Sequence, residues 1–213
     1  SQVDHVLGLD PTLVLSFDTF GNDLIGAVVL ARQIELKNIT PQEDFEEAVV
    51  KLLEQLGASD AQVFLSNSPR PGLLPAGRWL VETDDDPEAA QALLDEADAI
   101  AATYNAILHE EADLYDNVYI VDGWALAESL NDEGLLVDGQ TLDVRRFGGL
   151  LSLDGVHFTD VGYAAFANLF VEAIEQELGV RIDPVDLVPV AAADTRGPAA
   201  LAAAGLDVEA CWR

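Results

Sequence analysis

An aspartate and a histidine stand three residues apart in the segment Asp154-Gly155-Val156-His157, just ahead of a strongly amphipathic stretch. This spacing lets the carboxylate accept a hydrogen bond from one imidazole nitrogen, which fixes the tautomer and leaves the other nitrogen free to take up a proton. The chain has 3 histidines in all, so a histidine in this setting is a candidate general base. On spacing alone, a helix-entry loop with a purely structural histidine is an equal alternative.

Helix-like and strand-like segments alternate along the chain and must position these two residues. Apolar runs predict strands, the first of them buried, and amphipathic patterns predict helices between them. Thr40 and Glu43 fit a capping box around Pro41. The alternation predicts a parallel sheet covered on both faces, with ligands bound beyond the carboxyl ends of its strands. The predicted strands are 12–17, 61–65 and 118–121, the predicted helices are 40–57, 87–111, 124–130 and 159 onward, and 134–150 is predicted to be irregular.

The composition is strongly acidic and excludes several classes of partner. The chain has 10 Lys+Arg against 39 Asp+Glu, a formal net charge of −29, which repels nucleic acid and anionic membranes. Abundant acid with scarce lysine also indicates adaptation to salt, where screening removes the self-repulsion. No apolar run is long enough to span a bilayer, and no group of side chains has metal-ligand spacing. The sequence therefore predicts no membrane span, no metal and no cofactor.

Two motifs in order resemble those of a known family. The first predicted strand runs into Gly21-Asn22-Asp23, and Asp154-Gly155-Val156-His157 follows far downstream. This combination resembles the SGNH (Gly-Asp-Ser-Leu type) hydrolase family of lipases and esterases. The resemblance implies a flavodoxin-like, three-layer α/β/α sandwich with a parallel sheet. It places that domain at 1–186 and leaves an Ala- and Pro-rich tail at 187–213.

The resemblance also assigns roles to the residues that match the motifs. His157 would be the general base, Asp154 its orienting carboxylate, and Asn22 with Gly21 the oxyanion donors. The implied reaction is hydrolysis of a small carboxylic ester by serine-His-Asp chemistry. An ester carbonyl under attack develops negative charge, and one preorganised donor stabilises it by about 3–4 kcal/mol.

The chain departs from the family's pattern in two ways. Phe20 stands where the family usually has a glycine, and the N-terminal block that bears the nucleophilic serine is missing. The resemblance therefore implies that the first strands and the serine lie on a segment missing from this chain, joined to it in the same protein or present as a separate chain. Ser66 and Ser68 end a predicted strand, but Pro69 follows them directly and disfavours either as the nucleophile.

Two other functions stay open at this point. The chain could be a catalytically inactive SGNH-like domain used for binding or assembly, or a different hydrolase that uses a local serine. The family resemblance favours an extracytoplasmic location, secreted or periplasmic. An open sheet edge in place of the first strands would promote aggregation, so that edge is expected to be paired or covered.

Overall fold

A computed structural model describes residues 2–17, 19–21, 23–24, 34–145, 148–195 and 197–205. Its main sheet has three parallel strands in the order β1-β2-β3. The strands are β1 (Leu13–Ser16), β2 (Gln62–Ser66) and β3 (Val118–Val121). All three lie within or beside the predicted segments, and the α/β class is confirmed.

Helices lie on both faces of this sheet because alternate strand residues point to opposite sides. Val63 and Leu65 join the larger core, which contains the buried stripes of α2 (Gln42–Gly57) and α4 (Pro87–Ala112). Phe64 and Val121 point the other way and join a second cluster with Phe166 and other residues of α6 (Asp160–Leu178).

The remaining helices of the described residues are shorter and connect these layers. They are α1 (Gln2–Leu7), α3 (Pro75–Thr83), α5 (Gly123–Asp132), α7 (Leu187–Ala193) and α8 (Pro198–Ala203). A 3-10 turn at Leu36–Asn38 precedes α2, and another at Pro71–Leu73 precedes α3. None of the helices within the described ranges is long and apolar enough to cross a bilayer.

The start of α2 differs from the predicted capping box. Pro41 is the N-cap residue, and no side chain caps this end. The Thr40 hydroxyl instead donates to Asp23 Oδ1 at 2.7 Å. The capping prediction was wrong because the helix begins at Gln42, which leaves Thr40 one residue before the N-cap position, where its hydroxyl bonds to the loop after β1 instead.

The region 134–150, predicted to be irregular, contains a small antiparallel hairpin. Its strands are β4 (Leu135–Val137) and β5 (Gln140–Leu142). Asp138 and Gly139 form the two-residue turn between them, both with positive φ (46° and 77°). An Asp-Gly pair is a strong hairpin signal, but three-residue strands are too short to show alternation.

β1 is not a buried strand, contrary to the prediction. It pairs with β2 on one side, and no other described strand pairs with it. Leu13 is 40% exposed, Leu15 52% and Phe17 40%. The prediction failed because an apolar run shows what a strand could bury but does not show whether both of its neighbours are present.

The segment 187–205, assigned to a tail, packs back on the domain. Helix α7 lies against α6 and β4, and Leu201 of α8 is buried. Asp194, between the two helices, is also buried, and its Oδ2 accepts from the Val161 backbone N–H near the start of α6.

Candidate active site

Asp154 and His157 form the hydrogen-bonded pair that their spacing predicts. The His157 Nδ1 lies 2.8 Å from Asp154 Oδ2. A carboxylate can only accept here, so Nδ1 carries the proton and neutral His157 presents an unprotonated Nε2. The imidazole is therefore held in the tautomer that a general base requires.

A tight turn holds the Asp154 carboxylate in place. Its Oδ1 accepts from the backbone N–H of Val156 and of His157, both at 2.9 Å, and from the Ser152 hydroxyl at 2.8 Å. Partial burial alone would raise the pKa of Asp154, but these bonds, with the one from the His157 ring, lower it to about 2. The carboxylate is thus ionised at any pH at which an imidazole base would work.

The loop that bears the pair is fastened at both ends. The Ser152 N–H donates to His157 O at 2.7 Å, and Gly155 O accepts from Ala76 N–H at the start of α3 at 3.2 Å. Gly155 has φ +69°, and a Cβ there would meet the Ala76 nitrogen at 2.9 Å. The glycine therefore supplies both the turn and the close approach to α3.

Helix α6 begins at Asp160, three residues after His157, and anchors the far side of the loop. Thr159 is its N-cap residue, with the hydroxyl accepting from Gly162 N–H. The same hydroxyl donates to Gly149 O at 2.6 Å, and the side chain is buried. The two hydrogen bonds of the Thr159 hydroxyl thus fix the backbone at His157 relative to α6.

The His157 side chain is 65% exposed, so its free nitrogen is open to a partner. Among the described residues, the Asp154 carboxylate is the group that hydrogen-bonds to this ring. The pair can therefore accept a proton from a hydroxyl brought to Nε2, and the described part of the chain places none there.

Aromatic side chains connect this loop to the carboxyl end of β1. The Phe17 ring lies 6.0 Å from that of Phe158, 5.7 Å from Tyr163 and 4.5 Å from Phe166. Phe158 follows His157 directly, so the end of β1 and the Asp154–His157 pair share one edge of the sheet. The sequence patterns did not single out this aromatic cluster, because its members lie about 140 residues apart.

The predicted oxyanion residues lie in the loop after β1. Gly21 is in a turn and half-buried, whereas Asn22 lies outside the described residues, so its predicted role stays a prediction. Phe20 packs edge-on against Phe45 with centroids 5.1 Å apart, and Asp23 accepts from Thr40. These two contacts hold the described ends of the turn on the carboxyl side of the sheet.

Ser66 and Ser68, and two further serines near β1 and the His157 loop, make hydrogen bonds of their own. Ser66 and Ser68 are buried, and their hydroxyls donate to backbone oxygens of the residues that follow them. The Ser16 hydroxyl accepts from Thr19 Oγ1 at 3.1 Å, and Ser152 supports the aspartate rather than the imidazole. The role of Ser152 was missed, although a hydroxyl two residues before a turn-forming aspartate is a recognisable signal.

Comparison with known proteins adds no relative. No family model, curated protein or solved structure matches this chain. The resemblance to SGNH hydrolases thus stays a prediction that rests on the motifs. Within the described ranges, no group of three or more His, Cys, Asp or Glu side chains is placed to hold a metal ion.

Proposed function

We propose that this chain supplies the base of a serine-type carboxylic ester hydrolase, with the nucleophilic serine on a segment outside the chain. The observation that carries the proposal is the 2.8 Å contact between His157 Nδ1 and Asp154 Oδ2 beneath an exposed ring. Three further hydrogen bonds hold the Asp154 carboxylate in place, so its second oxygen stays in position to fix the imidazole tautomer.

The reaction would follow from that geometry. His157 Nε2 takes the serine proton as the serine oxygen bonds to the acyl carbon, and ionised Asp154 stabilises the imidazolium. The ester C–O bond then breaks, and His157 returns the proton to the departing alcohol. Water, activated by the same nitrogen, releases the acid and restores the serine. In this proposal Gly21 and Asn22 would donate to the oxyanion.

The apolar surroundings favour an ester with an aliphatic acyl group. The Phe158 ring lines a cleft whose other walls are apolar side chains of α5, α6 and the loop before α3, among them Leu73, Leu126 and Phe166. The space between these side chains is about that of one water molecule, so the cleft admits at most the end of a short alkyl group, which its apolar lining stabilises by burial.

The proposal predicts that ester hydrolysis requires His157. The test uses the protein as isolated from its source organism, with all the segments that it has there. We expect His157→Ala to lower kcat/KM for p-nitrophenyl butyrate about 10²–10⁴-fold, the usual effect of removing a general base. His109→Ala is the matched control, because His109 is also exposed and lies on α4. Normal activity in His157→Ala would refute the proposal.

A fluorophosphonate probe separates the remaining functions. Labelling of a serine outside this chain, lost in His157→Ala, supports the proposed function. Labelling of a serine within this chain indicates the local-serine hydrolase instead. Absence of labelling in both the isolated chain and the source protein indicates a binding or assembly domain.

A further inference from the structure

The Ser152 hydroxyl makes a hydrogen bond that the turn around Asp154 does not require. Such a turn is closed when the aspartate oxygen accepts from backbone N–H groups that follow it in the chain. Val156 and His157 supply two of these N–H groups to Oδ1. Ser152 donates a third hydrogen bond to the same oxygen at 2.8 Å, from the other side of Asp154 in the chain. The serine therefore adds a restraint beyond those that close the turn.

The backbone at Ser152 is held in place, so its hydroxyl donates from a fixed position. The Ser152 N–H donates to His157 O at 2.7 Å, and the Ser152 carbonyl accepts from Gly155 N–H at 2.9 Å. Leu151, the residue before it, forms an antiparallel bridge with Phe158. The hydroxyl therefore joins the Asp154 carboxylate to the same backbone frame that holds His157.

This third hydrogen bond restricts the rotation of the carboxylate. The torsion about the Cβ–Cγ bond of an aspartate is broad, so the side chain itself sets the carboxylate plane only weakly. The Asp154 side chain is also 51% exposed, which leaves little packing to hold it. Donors that reach Oδ1 from both directions along the chain confine the torsion. They thereby confine Oδ2, which lies 2.8 Å from His157 Nδ1.

The same hydroxyl favours the ionised carboxylate. Burial raises the pKa of Asp154, whereas the backbone N–H groups of Val156 and His157 and the His157 ring lower it. The Ser152 hydroxyl lowers this pKa further. An ionised carboxylate can only accept hydrogen bonds, so it keeps the ring proton on Nδ1.

We propose that Ser152 is a positioning residue, whose hydroxyl holds the Asp154 carboxylate in the orientation that keeps His157 in its Nδ1–H tautomer. Without this hydroxyl the carboxylate rotates more freely, its hydrogen bond with Nδ1–H weakens, and the ring proton moves to Nε2 in part of the population. Nε2 then cannot accept a proton. The effect on the tautomer stands on these contacts alone, and its effect on ester hydrolysis rests on the proposed function.

Nitrogen-15 NMR of the histidine rings tests this in the full chain, at a pH at which the rings are neutral. The shifts of the two ring nitrogens report which one carries the proton, and His157→Ala identifies the His157 signals among those of the 3 histidines. We expect Ser152→Ala to raise the ratio of the Nε2–H to the Nδ1–H tautomer about fivefold, the change that loss of one hydrogen bond produces. An unchanged ratio would overturn the inference.

Further substitutions separate the hydroxyl from the fold. Ser152→Thr keeps the hydroxyl and should keep the ratio within about twofold of the parent chain. Ser59→Ala removes a hydroxyl that donates to Leu56 O in the turn before β2, and it should leave the ratio unchanged. Equal rises in Ser152→Thr and Ser152→Ala would contradict the role of the hydroxyl. If Ser152→Ala does not fold, Ser152→Cys replaces it with the same expected rise, because the thiol keeps the shape but is a weak donor.

Kinetics distinguish failure of this inference from failure of the proposed function. In the protein isolated from its source organism, Ser152→Ala should lower kcat for p-nitrophenyl butyrate at least about threefold with little change in KM, because a loosely held carboxylate stabilises the imidazolium less. A raised tautomer ratio in a protein without esterase activity would keep the positioning role and refute the proposed function. Activity that requires His157 but is normal in Ser152→Ala, with an unchanged tautomer ratio, would leave the proposed function intact and overturn this inference.

Discussion

Asp154 uses its two carboxylate oxygens for different purposes. Oδ1 closes the turn by accepting from two backbone N–H groups and the Ser152 hydroxyl, and Oδ2 accepts from the His157 ring. Loop shape and ring orientation are thereby coupled through one side chain. An asparagine that kept its oxygen in the turn would present an N–H to Nδ1, which would move the ring proton to Nε2 and block the base.

Asp154→Asn should also weaken the fold in a pH-dependent way. The native carboxyl has a pKa of about 2 against an ordinary value of 3.8, so its ionised form stabilises the fold above about pH 4, and this contribution is lost as the pH falls toward 2. We expect the variant to be about 1 kcal/mol less stable at pH 7, because solvent screens a half-exposed carboxylate. Urea unfolding at pH 7, 4 and 2.5 measures the difference.

The matched control for that series is Asp60→Asn, which removes an exposed carboxylate in the turn before β2. The free energy of unfolding of this control should differ little from that of the parent chain at each pH. If Asp154→Asn lowered the free energy of unfolding by the same amount at pH 7 and at pH 2.5, the charge would not stabilise the turn.

At the scale of elements, the His157 loop depends on its close contact with α3. The backbone of Gly155 has φ +69°, and a Cβ at this position would clash with the Ala76 nitrogen. The loop is therefore positioned by two restraints, backbone conformation and packing, and substitutions can separate them.

Gly155→Ala should destabilise the protein by about 2 kcal/mol or more, since it adds a backbone clash to the strain of a positive φ. Gly139→Ala is the matched control, because Gly139 has φ +77° with nothing within 4 Å of an added Cβ, and it should cost about 1 kcal/mol. Thermal or urea unfolding of both variants gives the comparison. Equal losses would mean that the contact with α3 does not constrain the loop.

Features determined by neighbouring residues could be predicted from the sequence. The Asp154–His157 pair needs only a turn, α4 has a long apolar stripe, and α6 begins at Asp160 with Thr159 as its N-cap, close to the predicted start. Helix α3 was not predicted, since Pro75 and Gly77 within it indicate a loop by local propensity. Its contacts with the rest of the core stabilise it nonetheless.

Features determined by distant residues could not be predicted. Thr40 bonds to Asp23 instead of capping α2, and Phe17 contacts Phe158, which lies about 140 residues later in the sequence. The exposure of β1 depends on a neighbour that the described residues do not provide. The hydrophobic pattern of a segment shows which side chains it can bury. It does not show which distant residues will pack against them.

At the scale of the whole molecule, a strongly acidic composition is combined with an apolar core and with exposed apolar side chains on β1. A net charge of −29 in 213 residues makes copies repel one another, which opposes self-association through the exposed side chains of Leu13, Leu15 and Phe17. The same charge opposes compaction of the chain. Solubility and fold stability therefore respond to salt in opposite directions.

We expect the thermal unfolding midpoint to rise by at least about 5 °C between 0.05 and 1 M KCl, measured by circular dichroism in dilute solution. The Debye length falls from above 10 Å to about 3 Å over this range, which removes most of the repulsion among surface carboxylates. Sucrose at matched osmolality is the control, because it acts by exclusion from the surface and leaves charge repulsion in place. A midpoint that rose no more in KCl than in sucrose would show that carboxylate repulsion does not limit the stability of this fold.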